Sequence, residues 1–159
     1  MKTHYLPRHP VHQAGVGLIE VMIAVLVLSI GFLGIAALEA MSLSTNNSAY
    51  ARSMATINAY SILDAMRADL TNAKAGSYNG TVTASSCGAT PGTTLITQQL
   101  FTWCGSLAAT LGANSTTTGN VNCDASGNGN CTITITFDDS RSGSNLGSNA
   151  QKFVTQGVL

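Results

Sequence analysis

Val21 to Leu38 reads VMIAVLVLSIGFLGIAAL, 18 consecutive residues without a charge. At about 1.5 Å of rise per residue, this is near the shortest helix that crosses a bilayer. A carboxylate stands at each end of the run, Glu20 and Glu39. An ordinary anchor needs neither. A charge taken into hydrocarbon is costly, so a carboxylate at the entry either stays at headgroup level or meets a partner. Glu20 is therefore the first candidate functional residue.

The residues before the run set its direction. Met1 to Gly15 carries Lys2 and Arg8 and no acid. The positive-inside bias keeps such a segment cytoplasmic. Its small-residue site, Ala14-Gly15, precedes the apolar run, whereas a secretory signal is cut after its apolar run. A cut at that site would leave the apolar helix on the protein, and everything after Leu38 is expected to face outward. Removing Lys2 and Arg8 leaves five cations against seven anions. No basic patch remains for nucleic acid, and none is expected as a partner.

All four cysteines, Cys87, Cys104, Cys123 and Cys131, lie on the outward side. An even count in an oxidising compartment suggests two disulfides. Of the three possible pairings, Cys87–Cys104 with Cys123–Cys131 is favoured, because each bond closes a short local loop. A zinc site is not expected: there is no C-x-x-C spacing and no histidine after His12. No other metal and no cofactor are expected.

From Glu39 to Lys74 there is neither proline nor glycine. Leu43, Tyr50, Met54, Ile57, Tyr60, Leu63, Met66 and Leu70 recur at spacings of three, four and seven, one face of a helix. One helix is thus expected from about Leu18 to about Ala73, apolar all round at first and amphipathic later. Ser29, Gly31 and Gly34 weaken its first half and are places where it can unwind. Arg52, Asp64 and Asp69 take the outer face, with Arg67 in reach of Asp64.

Beyond Ala75, loop residues give way to a short strand at Thr81 to Thr83. A second helical stripe follows through Ile96, Leu100, Trp103, Cys104, Leu107 and Leu111, and Gly112 ends it. Trp103 is read as core. Ala113 to Asn130 reads as a polar loop of low complexity. Within it, Asp124 to Gly129 faintly resembles the start of a calcium loop. The twelfth position is Ile135, where a glutamate is required, so a disulfide-closed turn is the better reading. Asn114-Ser115-Thr116 fits a glycosylation acceptor. Cys131 to Phe137, CTITITF, is the clearest strand, apolar on one side and threonine on the other. Asp138 and Asp139 read as a solvated turn, Gly143 to Ser148 as a loop and Lys152 to Val158 as a last strand. The expected fold class is α+β: a long helix packed on a small antiparallel sheet, with one further short helix. Its parts are a leader (1–15), an apolar helix half (16–38), an amphipathic half (39–74) and a head rich in strands (75–159).

No catalytic constellation appears. His4, His9 and His12 all lie in the leader, and there is no nucleophile elbow, phosphate loop or H-E-x-x-H. The chain is not expected to be an enzyme.

Gly15-Val16-Gly17-Leu18-Ile19-Glu20-Val21-Met22 resembles the processing site of type IV prepilins. The resemblance implies a cut between Gly15 and Val16 by a membrane prepilin peptidase. It implies N-methylation of Val16, and it makes Glu20 the glutamate that guides assembly. The run onward to Asn47, the Asp64-Ala-Met-Arg67 segment, Trp103-Cys-Gly-Ser-Leu107 and CTITITFDD are similar to PilV-type minor pilins. That family implies a pilin-like fold and a role in priming the type IV pilus, at its tip. The implied partners are other minor and major pilins, the prepilin peptidase, the inner-membrane assembly platform and, before assembly, lipid. A minor pseudopilin of type II secretion shares the processing site and is the nearer alternative. A tip adhesin using the loops of 113–130 is the alternative from another class.

Overall fold

A computed structural model describes residues 15–124, 126, 128–140 and 148–159. Residues 1–14 of the leader expected at 1–15, with its cations and histidines, lie outside the described residues, as do Ala125, Gly127 and residues 143–147 of the expected loop. The chain divides into two compact units, Met1–Ala40 and Met41–Leu159.

Helix α1 spans Leu18–Ala68. No proline interrupts it, and the hydroxyls of Ser29, Thr45, Ser53 and Thr56 bond to carbonyls one turn back in the helix. Ser29 donates to the Val25 carbonyl at 2.7 Å, and Ser53 to that of Ala49 at 2.9 Å. The helix continues through Ser29, Gly31 and Gly34. In the first unit, every described residue is exposed.

The second unit holds the core. The helix expected to reach Ala73 stops at Ala68, and a short α2, Leu70–Lys74, follows. Asp69 makes the break, with φ −126° and ψ 54°. It lies off the outer face foreseen for it, because its carboxylate accepts from Asn72 at 2.9 Å and from the Tyr78 hydroxyl at 3.1 Å. A short polar side chain that bonds nearby groups competes with helix continuation.

The buried face of α1 also differs from the expected stripe. Ala55, Asn58, Ala59, Ile62, Leu63 and Met66 are buried, whereas Leu43, Tyr50, Ile57, Tyr60 and Leu70 are exposed. Small alanines let the helix approach its partners, so size selected the inner face as much as hydrophobicity did.

A four-stranded antiparallel sheet has the order β1-β2-β3-β4, with β1 Gly80–Thr83, β2 Thr118–Cys123, β3 Asn130–Phe137 and β4 Gln151–Val158. Helix α3, Leu95–Leu111, connects β1 to β2. Thr94 and Thr97 form a capping box at its start. Gly112 closes it with φ 102°, a conformation that favours glycine. The layout is α+β and pilin-like.

Strand β2 corrects the loop expected over 113–130. Its inward positions are Gly119, Val121 and Cys123, all buried. At Gly119 a Cβ would lie 2.4 Å from the Trp103 ring and 2.7 Å from Leu107, so only glycine fits beneath α3. Trp103, Leu107, Val121, Ile133, Ile135 and Phe137 then close the core over Ile62 and Met66. Trp103 donates its ring N–H to the Asn58 carbonyl at 2.9 Å, so its one polar atom is satisfied.

The solvated turn expected at Asp138-Asp139 needs a correction as well. Asp138 is exposed, but Asp139 is buried and accepts from Ser48 of α1 at 2.6 Å. Its own N–H donates to the Ser148 carbonyl at 2.8 Å. A buried carboxylate is held by hydrogen bonds, and the distant Ser48 gave no local sign of its part.

Candidate processing and assembly site

Residues 15–17 have no regular structure, and α1 begins at Leu18. The Gly17 carbonyl accepts the N–H groups of Glu20 at 2.9 Å and Val21 at 3.4 Å, which starts the helical ladder. The Gly15–Val16 peptide bond therefore lies outside the helix. Val16 is 71% exposed, and nothing lies within 4 Å of where a Gly15 side chain would begin. A peptidase needs an uncovered peptide outside regular structure, and this one is both.

Glu20 stands in the first turn of α1 and is exposed. There its charge meets the positive end of the helix dipole, a modest benefit of about 0.3–1 kcal/mol. Among the described residues its carboxylate has no hydrogen-bond or ion-pair partner. The next described acid is Glu39, so the apolar run separates the two carboxylates along the helix. An 18-residue window of α1 reaches a mean hydropathy of 2.8 with none of it buried, enough by length and composition to cross a membrane.

The cysteines sit in the second unit. Cys87 pairs with Cys104, fastening the loop after β1 to α3. Cys123 pairs with Cys131, directly opposite each other in the β2–β3 register. Next to that bond, Asn79 grips the Cys123 backbone. Its Nδ2 donates to the Cys123 carbonyl at 2.9 Å, and its Oδ1 accepts the Cys123 N–H at 2.6 Å. Sequence reading passed over Asn79, since a lone asparagine after a turn carries no signal of a contact 44 residues away.

The loop candidates are used locally. The Asp124 carboxylate accepts from the Ser126 N–H at 3.0 Å and from its hydroxyl at 2.6 Å. These bonds hold its carboxyl below the usual carboxylate range. Asn114, the glycosylation candidate, accepts through Oδ1 from both backbone and hydroxyl of Thr116 and of Thr117, at 2.8–3.1 Å. It organises the turn into β2. Among the described residues no group of three acid, histidine or cysteine side chains converges as a metal site.

The family model for the prokaryotic N-terminal methylation motif matches residues 11–36. The motif indicates a type IV pilin or pseudopilin, processed by prepilin peptidase and associated with pilus-type components. It covers Gly15, Val16, Glu20 and most of the apolar run. No curated protein and no solved structure matches the chain. The motif and the apolar helix together suggest membrane anchoring.

Proposed function

We propose that this chain is a minor pilin of the PilV type that takes part in priming the type IV pilus and remains at its tip. Its part is structural rather than catalytic. Prepilin peptidase cuts between Gly15 and Val16, and Val16 is N-methylated. The helix from Val16 holds the subunit in the inner membrane, with the head in the periplasm, until the assembly platform and other pilins draw it into the filament.

The observation that carries this reading is the Glu20 carboxylate, which has no partner among the described residues. It stands five residues past the glycine of a methylation motif and at the mouth of an apolar helix. A cut at Gly15 creates an ammonium on Val16. When such helices bundle, Glu20 of one subunit meets the Val16 ammonium of its neighbour. Each charge then has a partner away from water, and removing either strands the other. The pair fixes axial register. The exposed apolar line Leu43, Tyr50 and Ile57, spaced by seven, fits a helix face that neighbouring subunits cover.

Deletion of the gene tests the assignment. Loss of surface pili with exoprotein secretion intact supports the pilus role. Lost secretion with normal pili makes the chain a minor pseudopilin, the second reading that the shared motif allows. In the complemented strain, Glu20→Gln keeps the shape and removes the charge. The variant should be cut and methylated normally in membranes yet be depleted from sheared filaments on immunoblots. Equal recovery in filaments would remove Glu20 from the assembly mechanism.

A further inference from the structure

Among the described residues the outer edge of β4 is open. Leu159 donates its N–H to the Gly129 carbonyl at 2.9 Å, one step beyond the last β3–β4 pair, Asn130↔Val158. In an antiparallel ladder, pairs that exchange hydrogen bonds alternate with pairs that do not. Counting back from Leu159, the odd-numbered residues of β4 bond to β3. Lys152, Val154, Gln156 and Val158 turn their N–H and C=O groups the other way. Among the described residues nothing pairs with that row. The opposite edge is better kept: β1 has four residues, and the Cys87–Cys104 bond ties the chain just past it to α3.

An uncovered eight-residue edge without proline is a template for another strand, and proteins usually guard such edges with charge, proline or bulges. Here the one guard is Lys152. Val154 is 55% exposed and Val158 63%, so apolar side chains flank the open backbone.

We propose that the outer edge of β4 accepts an extended segment of a partner protein, which adds to the sheet as a fifth strand. The row of main-chain donors and acceptors recognises an extended chain, and the alternating side chains set the preference. Val154 and Val158 select β-branched or other apolar residues. Lys152, the only charge on the strand, selects an acid opposite it. Charge disfavours a second copy paired β4 to β4, because β4 contains no acid to offer Lys152. The inference does not depend on the filament reading.

The test uses the full chain in detergent and a labelled, N-acetylated peptide of about eight residues, the length of a typical strand. The peptide alternates valine and threonine and ends in a glutamate placed to meet Lys152. Its control is the same peptide N-methylated at alternate amides, which removes the donor row. Fluorescence anisotropy should show saturable binding of the first peptide and none of the second. Val154→Pro removes only an outward N–H and leaves the β3–β4 bonds intact, so the variant should melt like the parent. Its affinity should fall roughly tenfold, about the worth of one hydrogen bond. Lys152→Ala should weaken binding and abolish its salt dependence, independently of any effect of proline on folding. Absence of saturable binding, equal binding of both peptides, or binding unchanged in both variants would overturn the proposal. So would a parent chain that ignores the peptide and dimerises through this edge.

Discussion

Glu20 and Tyr78 place polar groups under opposite conditions. Glu20 lies uncovered in the single chain, and its environment is supplied by whatever surrounds the apolar helix. Tyr78 is fully buried, with its hydroxyl held between the Asp69 carboxylate and the Gln99 side-chain amide. Burial, then the hydrogen bond to Asp69 and its negative charge, push the Tyr78 hydroxyl from its ordinary 10.0 up to about 12. A raised value means that the fold prefers the protonated phenol. The stabilisation is complete below pH 10.0, the unfolded value, and is lost as pH rises through about 12. In an ultraviolet titration of the intact protein, one tyrosine should therefore ionise late, near pH 12. Tyr78→Phe should remove the lagging step and flatten the loss of thermal stability over that window. A titration without that late step would contradict this placement.

At the scale of elements, legibility followed side-chain size. Cys131 to Phe137 was readable because large apolar residues alternate with threonine. Strand β2 was not, because its inward face opens with Gly119, and glycine reads as loop when the tryptophan above it lies 16 residues back in the chain. The same reason hid the buried face of α1, where Ala55 and Ala59 pack inward and Tyr50 and Ile57 point out. The break at Asp69 needed knowledge of Tyr78, a tertiary partner. By contrast Gly15, Val16 and Glu20 stood out at once, because a carboxylate beside an apolar run is conspicuous without any tertiary context. Gly119→Ala tests the β2 account. The added methyl meets the Trp103 ring at 2.4 Å, and overpacking of this kind costs about 1–3 kcal/mol. The melting temperature should fall by several degrees, and an unchanged melt would show that α3 does not press on β2. The two disulfides close loops with sequence separations of 17 and 8. Each is expected to contribute about 3 kcal/mol through the unfolded chain. Replacing Cys87 and Cys104 together by serine should lower the midpoint of denaturant unfolding and leave the Cys123–Cys131 bond formed, as peptide mapping would show.

At the scale of the whole molecule, the two units differ in what they bury. Residues 15–40 are exposed throughout and apolar, and bury nothing of their own. Met41–Leu159 has a closed core, two disulfides and a polar surface strand pattern. By length and composition the helix of the first unit suits a bilayer or a bundle of like helices. On the proposed account it uses the two in succession, and the cut at Gly15 is the step that permits the exchange by creating the ammonium that Glu20 meets. The most direct measurement is the mass of the N-terminal peptide of this protein isolated from wild-type membranes. The account predicts a peptide that begins at N-methylated Val16. A chain that still begins at Met1, or one cut after Leu38, would contradict it and make the apolar run an ordinary anchor or export signal.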